Sequence, residues 1–222
     1  MSANAQTGSP PSAGLRTVHW AEGSADMVTI FEPQVQVLVL PRPIDPEIAA
    51  FLDAADPTRL GLRRVVDGPH RLTGPDAPTW PALPGRAALI ADLQYVAEMY
   101  EDLLGCERLG LRFEALDRAM CPGFHRDQTG IRLVCTYRGP GTEWLDDCDP
   151  LRHADTEAGP LRVGSIGTDA AQSAIGRAPA FAIVLLKGTL WQGNAGRGAI
   201  HRSPTPPFGG SRRYLLTLDA LW

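Results

Sequence analysis

Apolar spacing predicts one helix in the N-terminal half, and terminal signals predict another. Residues 85–104 carry apolar side chains at three- and four-residue steps and stop at Gly105, which predicts an amphipathic helix that ends at the glycine. A second helix is predicted near 46–55, because Asp45 can cap it and Pro46 suits its first position. The N-terminal half is therefore predicted to supply helices at 45–105.

The rest of the chain alternates polar and apolar residues over short runs, as β-strands do. Gln34–Leu40 predicts one strand, and Gly-, Pro- and Asp-containing loops separate further runs beyond Gly105. These runs cover 110–119, 131–138, 161–166, 181–186 and 212–219. No helical pattern separates them, which favours an antiparallel sandwich or barrel over a βαβ sheet. The predicted fold is mostly β with N-terminal helices (α+β), with a β-core at 107–222.

Composition adds few constraints on function. The chain has 222 residues, 44% hydrophobic and 21% charged, which is typical of one globular domain; we assign it to 26–222. Residues 1–25, rich in Ser, Ala, Gly and Pro, are predicted to form a flexible tail without the apolar core of a secretory signal, and 56–84 a long loop. A net charge of −4 favours neither nucleic acid nor a membrane as partner. Four cysteines without a CxxC pair fit reduced thiols, so we expect a cytoplasmic protein.

One group of residue types points to a metal ion. In an extended segment, His125 and Asp127 project from the same face, about 7 Å apart at their backbones, and can converge on one ion. His201 is distant in sequence, and only folding can bring it to them. Two histidines and one carboxylate leave coordination positions open, as in the facial arrangement of non-haem Fe(II) oxygenases.

An arginine completes the candidate chemistry. Arg213 follows His201 by twelve residues and opens an apolar strand. A guanidinium fixed in a strand can bind a carboxylate through two hydrogen bonds.

These motifs together resemble the Fe(II)/2-oxoglutarate-dependent dioxygenases. The resemblance covers about 107–222 and rests on HxD, a distal His, and an Arg on a strand that reads RYLLT. The glycine turn in TYRGPGTEW and the strand LLKGTLW agree with it. The succession of FHRD, TYRGPGTEW, LKG and HRSP also resembles a bacterial family catalogued only as a domain of unknown function.

The resemblance implies a double-stranded β-helix, also called a jelly-roll or cupin-like core. It implies that His125, Asp127 and His201 bind Fe(II) and that Arg213 binds the distal carboxylate of the cofactor 2-oxoglutarate. Arg212 would take that role if the strand register were shifted by one residue, and Tyr137 and Thr217 are candidates to face the same pocket. The implied activity is O₂-dependent hydroxylation or oxidation of a small-molecule or peptide substrate.

Other readings of the motifs remain open from sequence. Cys121 is either a buried structural thiol or a fourth ligand that would close a tetrahedral zinc site. A cupin-like protein could hold Zn, Mn or Fe without 2-oxoglutarate. A metal- or small-acid-binding module without turnover is the third possibility.

Overall fold

The computed structural model describes residues 17–67, 72, 77–145, 175–205 and 212–222. Its α-helices are α1, Pro46–Ala54, and α2, Arg86–Leu104; 3₁₀ helices cover Ser24–Phe31 and Pro57–Arg59. Its strands are β1 Val18–Trp20, β2 Val37–Leu40, β3 Leu62–Asp67, β4 Arg108–Leu116, β5 Ile131–Arg138, β6 Glu143–Leu145, β7 Ile175–Arg177, β8 Ile183–Lys187, β9 His201–Arg202 and β10 Arg213–Leu221.

Both predicted helices are confirmed, and their ends have the expected causes. The Asp45 carboxylate accepts hydrogen bonds from the backbone N–H groups of Glu47 and Ile48, at 2.8 and 3.1 Å, and so caps α1. Gly105 ends α2 with a left-handed backbone, φ +63°. No helix in the described ranges is long and apolar enough to cross a membrane.

The strands form two sheets. The large sheet has seven strands in the order β1-β2-β8-β5-β10-β4-β3, and the small sheet has the order β7-β6-β9. Antiparallel pairing was predicted and holds for every described pair except β1–β2, which is parallel and makes the large sheet mixed. The strand predicted at 161–166 lies outside the described residues.

Two sequence predictions were wrong in the N-terminal half. β1 begins at Val18, inside the segment 1–25 that was predicted to be a tail, and β3 lies inside the predicted loop 56–84. β1 and β3 are the outer strands of the large sheet. Edge strands are often short or carry charged side chains, which weakens their apolar pattern. The β-structure therefore extends well before residue 107.

Alternation along the strands gives the large sheet two distinct faces. On β5, Leu133, Cys135 and Tyr137 belong to the cluster that also contains the buried side of α2; we call this side the helical face. Val134, with Leu215 of β10, belongs to a second cluster around Trp144 of the small sheet; we call this side the inner face. The candidate chemistry lies on the inner face.

Candidate metal centre

The two histidines are brought together by backbone pairing. His125 and His201 form an isolated antiparallel bridge in which each backbone N–H donates to the other residue's carbonyl, both at 3.0 Å. His201 is the first residue of β9, which also pairs with β6 in the small sheet. Residues far apart in sequence therefore share one strand-like pairing.

Asp127 completes a group of three side chains. His125 Nε2 lies 3.5 Å from Asp127 Oδ1, and His201 Nε2 lies 3.4 Å from Asp127 Oδ2. The candidate ligand atoms all lie within 4.8 Å of one another, and within the described part of the chain no other His, Cys, Asp or Glu side chains form such a group. The predicted grouping of the three residues is thus present, with spacing that suits one ion.

Backbone carbonyls fix the orientation of both imidazole rings. Nδ1 of His125 lies 3.1 Å from the Gly123 carbonyl, and Nδ1 of His201 lies 3.0 Å from the Ala199 carbonyl. A carbonyl oxygen can only accept, so each Nδ1 must carry the hydrogen. In the neutral rings, Nε2 then presents its lone pair toward Asp127. Two lone pairs and a carboxylate facing one another require a cation between them, either a proton or a metal ion.

The electrostatics of Asp127 favour the ionised form. Burial by itself raises the pKa of this carboxyl, but the close contacts with His125 and His201, together with the positive charge of Arg132, outweigh burial and hold it well below its ordinary value. The same contact with Asp127 raises the pKa of His125, against the effect of partial burial. Asp127 is therefore a ready anionic ligand at neutral pH.

Arg132 contacts the candidate site, and its sequence context did not predict this. Its Nη1 donates to Asp127 Oδ2 at 2.7 Å, while its Nε and Nη2 bind both carboxylate oxygens of Asp219 at 2.7 and 3.0 Å. Arg112 also reaches Asp219, at 3.3 Å. Arg132 and Asp219 are register partners on β5 and β10, so sheet pairing anchors the position of Asp127.

The backbone around Asp127 is held by the turn after β8. Thr189 N–H donates to the Asp127 carbonyl at 2.9 Å, and Leu190 N–H donates to Thr129 at 3.0 Å. A Cβ at Gly188 would lie 2.3 Å from the Thr129 carbonyl oxygen, so only glycine fits this close approach. The LKG motif thus contributes to the geometry of the site.

Arg213 is a buried cation on the inner face. Its side chain is among the largest that are fully buried, at 1% exposure, and its Nε donates to the Pro140 carbonyl at 3.0 Å. Nη2 donates to the hydroxyls of Thr136 and Thr142, at 3.1 and 2.9 Å. Among the described residues no carboxylate forms an ion pair with it, and burial lowers its pKa to about 10, with only a smaller opposing effect of Glu143. The guanidinium therefore lacks an anionic partner.

The glycine turn between β5 and β6 shapes the surroundings of Arg213. Gly139 has φ +83°, and a Cβ there would lie 3.1 Å from the Arg213 Cα. A Cβ at Gly141 would lie 2.1 Å from the Ala178 carbonyl oxygen, which backbone atoms cannot accommodate. This turn places the Pro140 carbonyl and the Thr142 hydroxyl against the guanidinium.

The remaining candidate residues, Thr217 and Arg212, differ in their burial. Thr217 is buried on β10, four residues after Arg213, and therefore lies on the same face. Arg212 is 40% exposed and pairs with Asp117 at 3.6 Å, so it does not share the buried position of Arg213.

Two expectations about individual side chains were wrong. Tyr137 does not face the pocket: it lies on the helical face, where its hydroxyl donates to Asp92 of α2 at 2.5 Å, because neighbouring strand residues point to opposite sides. Cys121 is not a buried thiol: it is exposed, and its sulfur does not belong to the group formed by His125, Asp127 and His201. Its backbone, in contrast, pairs with Ser203 just after β9.

Comparisons with known proteins identify a family and distant structural likenesses. A family model described as "Protein of unknown function (DUF1826)" matches residues 21–219. A search of curated proteins found no match. Similar solved structures include AtDAO1, the dioxygenase for auxin oxidation 1 from Arabidopsis thaliana, as a complex with 2-oxoglutarate. It is 9% identical, with a TM-score of 0.49, over 92% of this chain and 91% of that chain.

Two further structures have the same kind of distant likeness. T7H from Neurospora crassa, in complex with alpha-KG, is 11% identical, with a TM-score of 0.44, over 91% of this chain and 84% of that one. A prolyl-4-hydroxylase from Pseudomonas putida is 10% identical, with a TM-score of 0.42, over 90% and 98%. At these scores the likenesses are too distant to assign a fold or a chemistry.

Proposed function

We propose that this chain, which belongs to the family described as "Protein of unknown function (DUF1826)", is a non-haem Fe(II), 2-oxoglutarate-dependent oxygenase. Its substrate would be a small molecule or a peptide. The observation that carries the proposal is the presence, in one fold, of a three-residue ligand group and a buried guanidinium that has no anionic partner among the described residues.

The path of the chain between the sheets supports a double-stranded β-helix. From β4 onward the chain enters the large sheet at β4, β5, β8 and β10. Between those strands it forms the His125 bridge, the β6–β7 pair and β9 on the small-sheet side. A chain that alternates in this way between two facing sheets winds as a jelly roll, with its site between the sheets.

The donor set fits Fe(II) better than a closed zinc site. His125 and His201 each offer one Nε2 lone pair and Asp127 offers a carboxylate oxygen, which is the facial triad of non-haem iron sites with open positions. Structural zinc needs four protein donors, and the fourth candidate, Cys121, is exposed and outside the group.

The surroundings of Arg213 fit the distal carboxylate of 2-oxoglutarate. The described hydrogen bonds of the guanidinium use Nε and Nη2 and leave Nη1 for a carboxylate partner. A dicarboxylic acid bound there would neutralise a cation that the fold otherwise buries at high cost. When bound, Fe(II) and 2-oxoglutarate would supply O₂ activation and the oxidising equivalent, with succinate and CO₂ as by-products.

The chain's own residues would bind the co-substrate, orient the metal ligands and exclude water from the site. Arg213 would bind the co-substrate, and Arg132 holds the ligand Asp127 against the sheet. The apolar cluster of the inner face, which includes Val184, Leu215 and Trp144, would keep water from the space between the sheets.

Succinate release from 2-oxoglutarate by the Fe(II)-loaded protein tests the proposal. We expect release that requires both Fe(II) and O₂, and loss of metal binding in His201→Ala. His19→Ala is the matched control, because His19 contacts Asp26 outside the group of three. Metal binding without 2-oxoglutarate binding at millimolar concentration would refute the co-substrate and leave a cupin-like metal protein or a binding module.

A further inference from the structure

A cavity of about 770 Å³ lies where the end of α2 meets β3 and β4. It shares no lining residue with the metal centre. Four of its lining residues are acidic: Asp67, Glu101, Asp102 and Glu107. We call it the acidic cleft. Its volume is in the range of small-molecule sites.

Glu101 is the unusual residue of the acidic cleft. It is only 7% exposed, and its Oε1 is buried without a hydrogen-bond partner among the described residues. Burial, and then the negative charges of Glu98 and Asp102, raise the pKa of this carboxyl. A buried carboxylate that lacks donors is costly unless it is protonated or meets a cation.

The charges around the cleft are poorly balanced. Arg108 is the one basic lining residue, and it pairs with Asp67 at 2.9 Å. Within the described ranges, Glu101, Asp102 and Glu107 form no ion pair with any side chain. The cleft therefore concentrates negative charge around a carboxylate that is itself short of donors, which attracts a cationic ligand.

The spacing of the carboxylates selects the kind of cation. Within the described part of the chain, the acidic cleft contains no three ligand atoms close enough to surround one metal ion. Carboxylates spread along a cavity suit a longer molecule with separated positive groups. Gly105 and the buried thiol of Cys106 provide surface for an aliphatic stem.

We propose that the acidic cleft binds a small aliphatic diamine or polyamine, with one ammonium group on Glu101 and another on Asp102 or Glu107. An ammonium group offers three donors and satisfies the carboxylate that the fold leaves without one. This site is separate from the proposed oxygenase chemistry and does not depend on it.

A calorimetric titration of the full-length protein with 1,5-diaminopentane tests the proposal. We expect saturable binding that weakens at least tenfold in Glu101→Gln, a variant of the same shape without the charge. Glu98→Gln is the matched control: it removes the same charge one turn earlier on α2, from a residue that does not line the cleft. Its affinity should stay within about threefold of the unchanged protein, since only long-range attraction is lost.

Three outcomes would overturn the proposal. One is absence of saturable diamine binding up to 10 mM (a concentration of the assay, about ten-thousandfold above a dissociation constant of about 1 μM). Another is equal weakening by Glu98→Gln and Glu101→Gln, which would mean unspecific attraction to an acidic surface. The third is equally tight binding of uncharged 1,5-pentanediol. Asp102→Asn provides a second variant, expected to weaken binding, should Glu101→Gln alter the fold as judged by circular dichroism.

Discussion

Replacement of Arg213 by methionine tests whether this residue binds the co-substrate or only stabilises the fold. The side chain is fully buried, and its three described hydrogen bonds go to neutral oxygens of Pro140, Thr136 and Thr142. Hydrogen bonds from a charged donor contribute about 1.5–3 kcal/mol each. Burying an ion costs several kcal/mol. The two effects are similar in size, so Arg213→Met should change the free energy of unfolding by no more than about 2 kcal/mol.

The same replacement should strongly reduce 2-oxoglutarate affinity. If Arg213 binds the distal carboxylate as proposed, the replacement removes a charge-assisted contact in a water-poor site, which we expect to contribute about 2–4 kcal/mol. That corresponds to a roughly 30- to 1000-fold larger dissociation constant. Calorimetry on the Mn(II)-loaded protein measures binding without turnover, and urea unfolding of the metal-free protein measures stability.

Arg212→Met is the control for this experiment. Arg212 is the adjacent residue, is 40% exposed and pairs with Asp117 at 3.6 Å, so its removal should change 2-oxoglutarate affinity less than about threefold. If Arg213→Met bound 2-oxoglutarate as tightly as the unchanged protein, the carboxylate role would be wrong. If it lost more than about 4 kcal/mol of stability, Arg213 would be a structural residue instead.

Three further changes test other parts of the structure. Gly141→Ala should destabilise the protein by more than about 2 kcal/mol in urea unfolding, because its Cβ would meet the Ala178 carbonyl oxygen at 2.1 Å; unchanged stability would contradict this packing. Tyr137→Phe should cost about 1–3 kcal/mol through the lost bond to Asp92 yet leave 2-oxoglutarate affinity unchanged, since Tyr137 faces the helices; weaker binding would contradict that orientation. Glu101→Gln should be more stable than the unchanged protein at pH 8, and this difference in unfolding free energy should shrink toward pH 4.5. The reason is that the folded-state pKa of Glu101 is raised, so protonation of Glu101 stabilises the unchanged protein as the pH falls. A difference in unfolding free energy that stays constant with pH would argue against this.

The sequence predicted those features that depend on local pattern. The helical period over 85–104 and the cap at Asp45 were sufficient to predict both α-helices. The run 131–138 coincides with β5, whose central residues are buried on both faces and form a short, mostly apolar run. The same period of two places Tyr137 and Thr136 on different faces of β5, so the strand pattern was sufficient to predict the orientation of Tyr137.

What the sequence did not predict depends on pairing between distant segments. β3 reads LRRVVD, and its two arginines interrupt the apolar pattern. Charged side chains of this kind are common on edge strands, and β3 is one. Arg132 became part of the site only through its register with Asp219 on β10. A one-residue shift of that register would send Asp219 to the helical face and remove the anchor of Asp127.

The orientation of the two histidines shows how local and distant constraints combine. Each Nδ1 donates to the carbonyl two residues earlier, that of Gly123 for His125 and that of Ala199 for His201. This contact is local, yet both rings adopt it beside a bridge that only the fold creates. The local contact leaves Nε2 of each ring without a hydrogen, and the backbone bridge between His125 and His201 determines the direction in which Nε2 points. A metal site of this kind therefore requires a backbone held in place on both sides, which the turn at Gly188 and the sheet-anchored Arg132 provide.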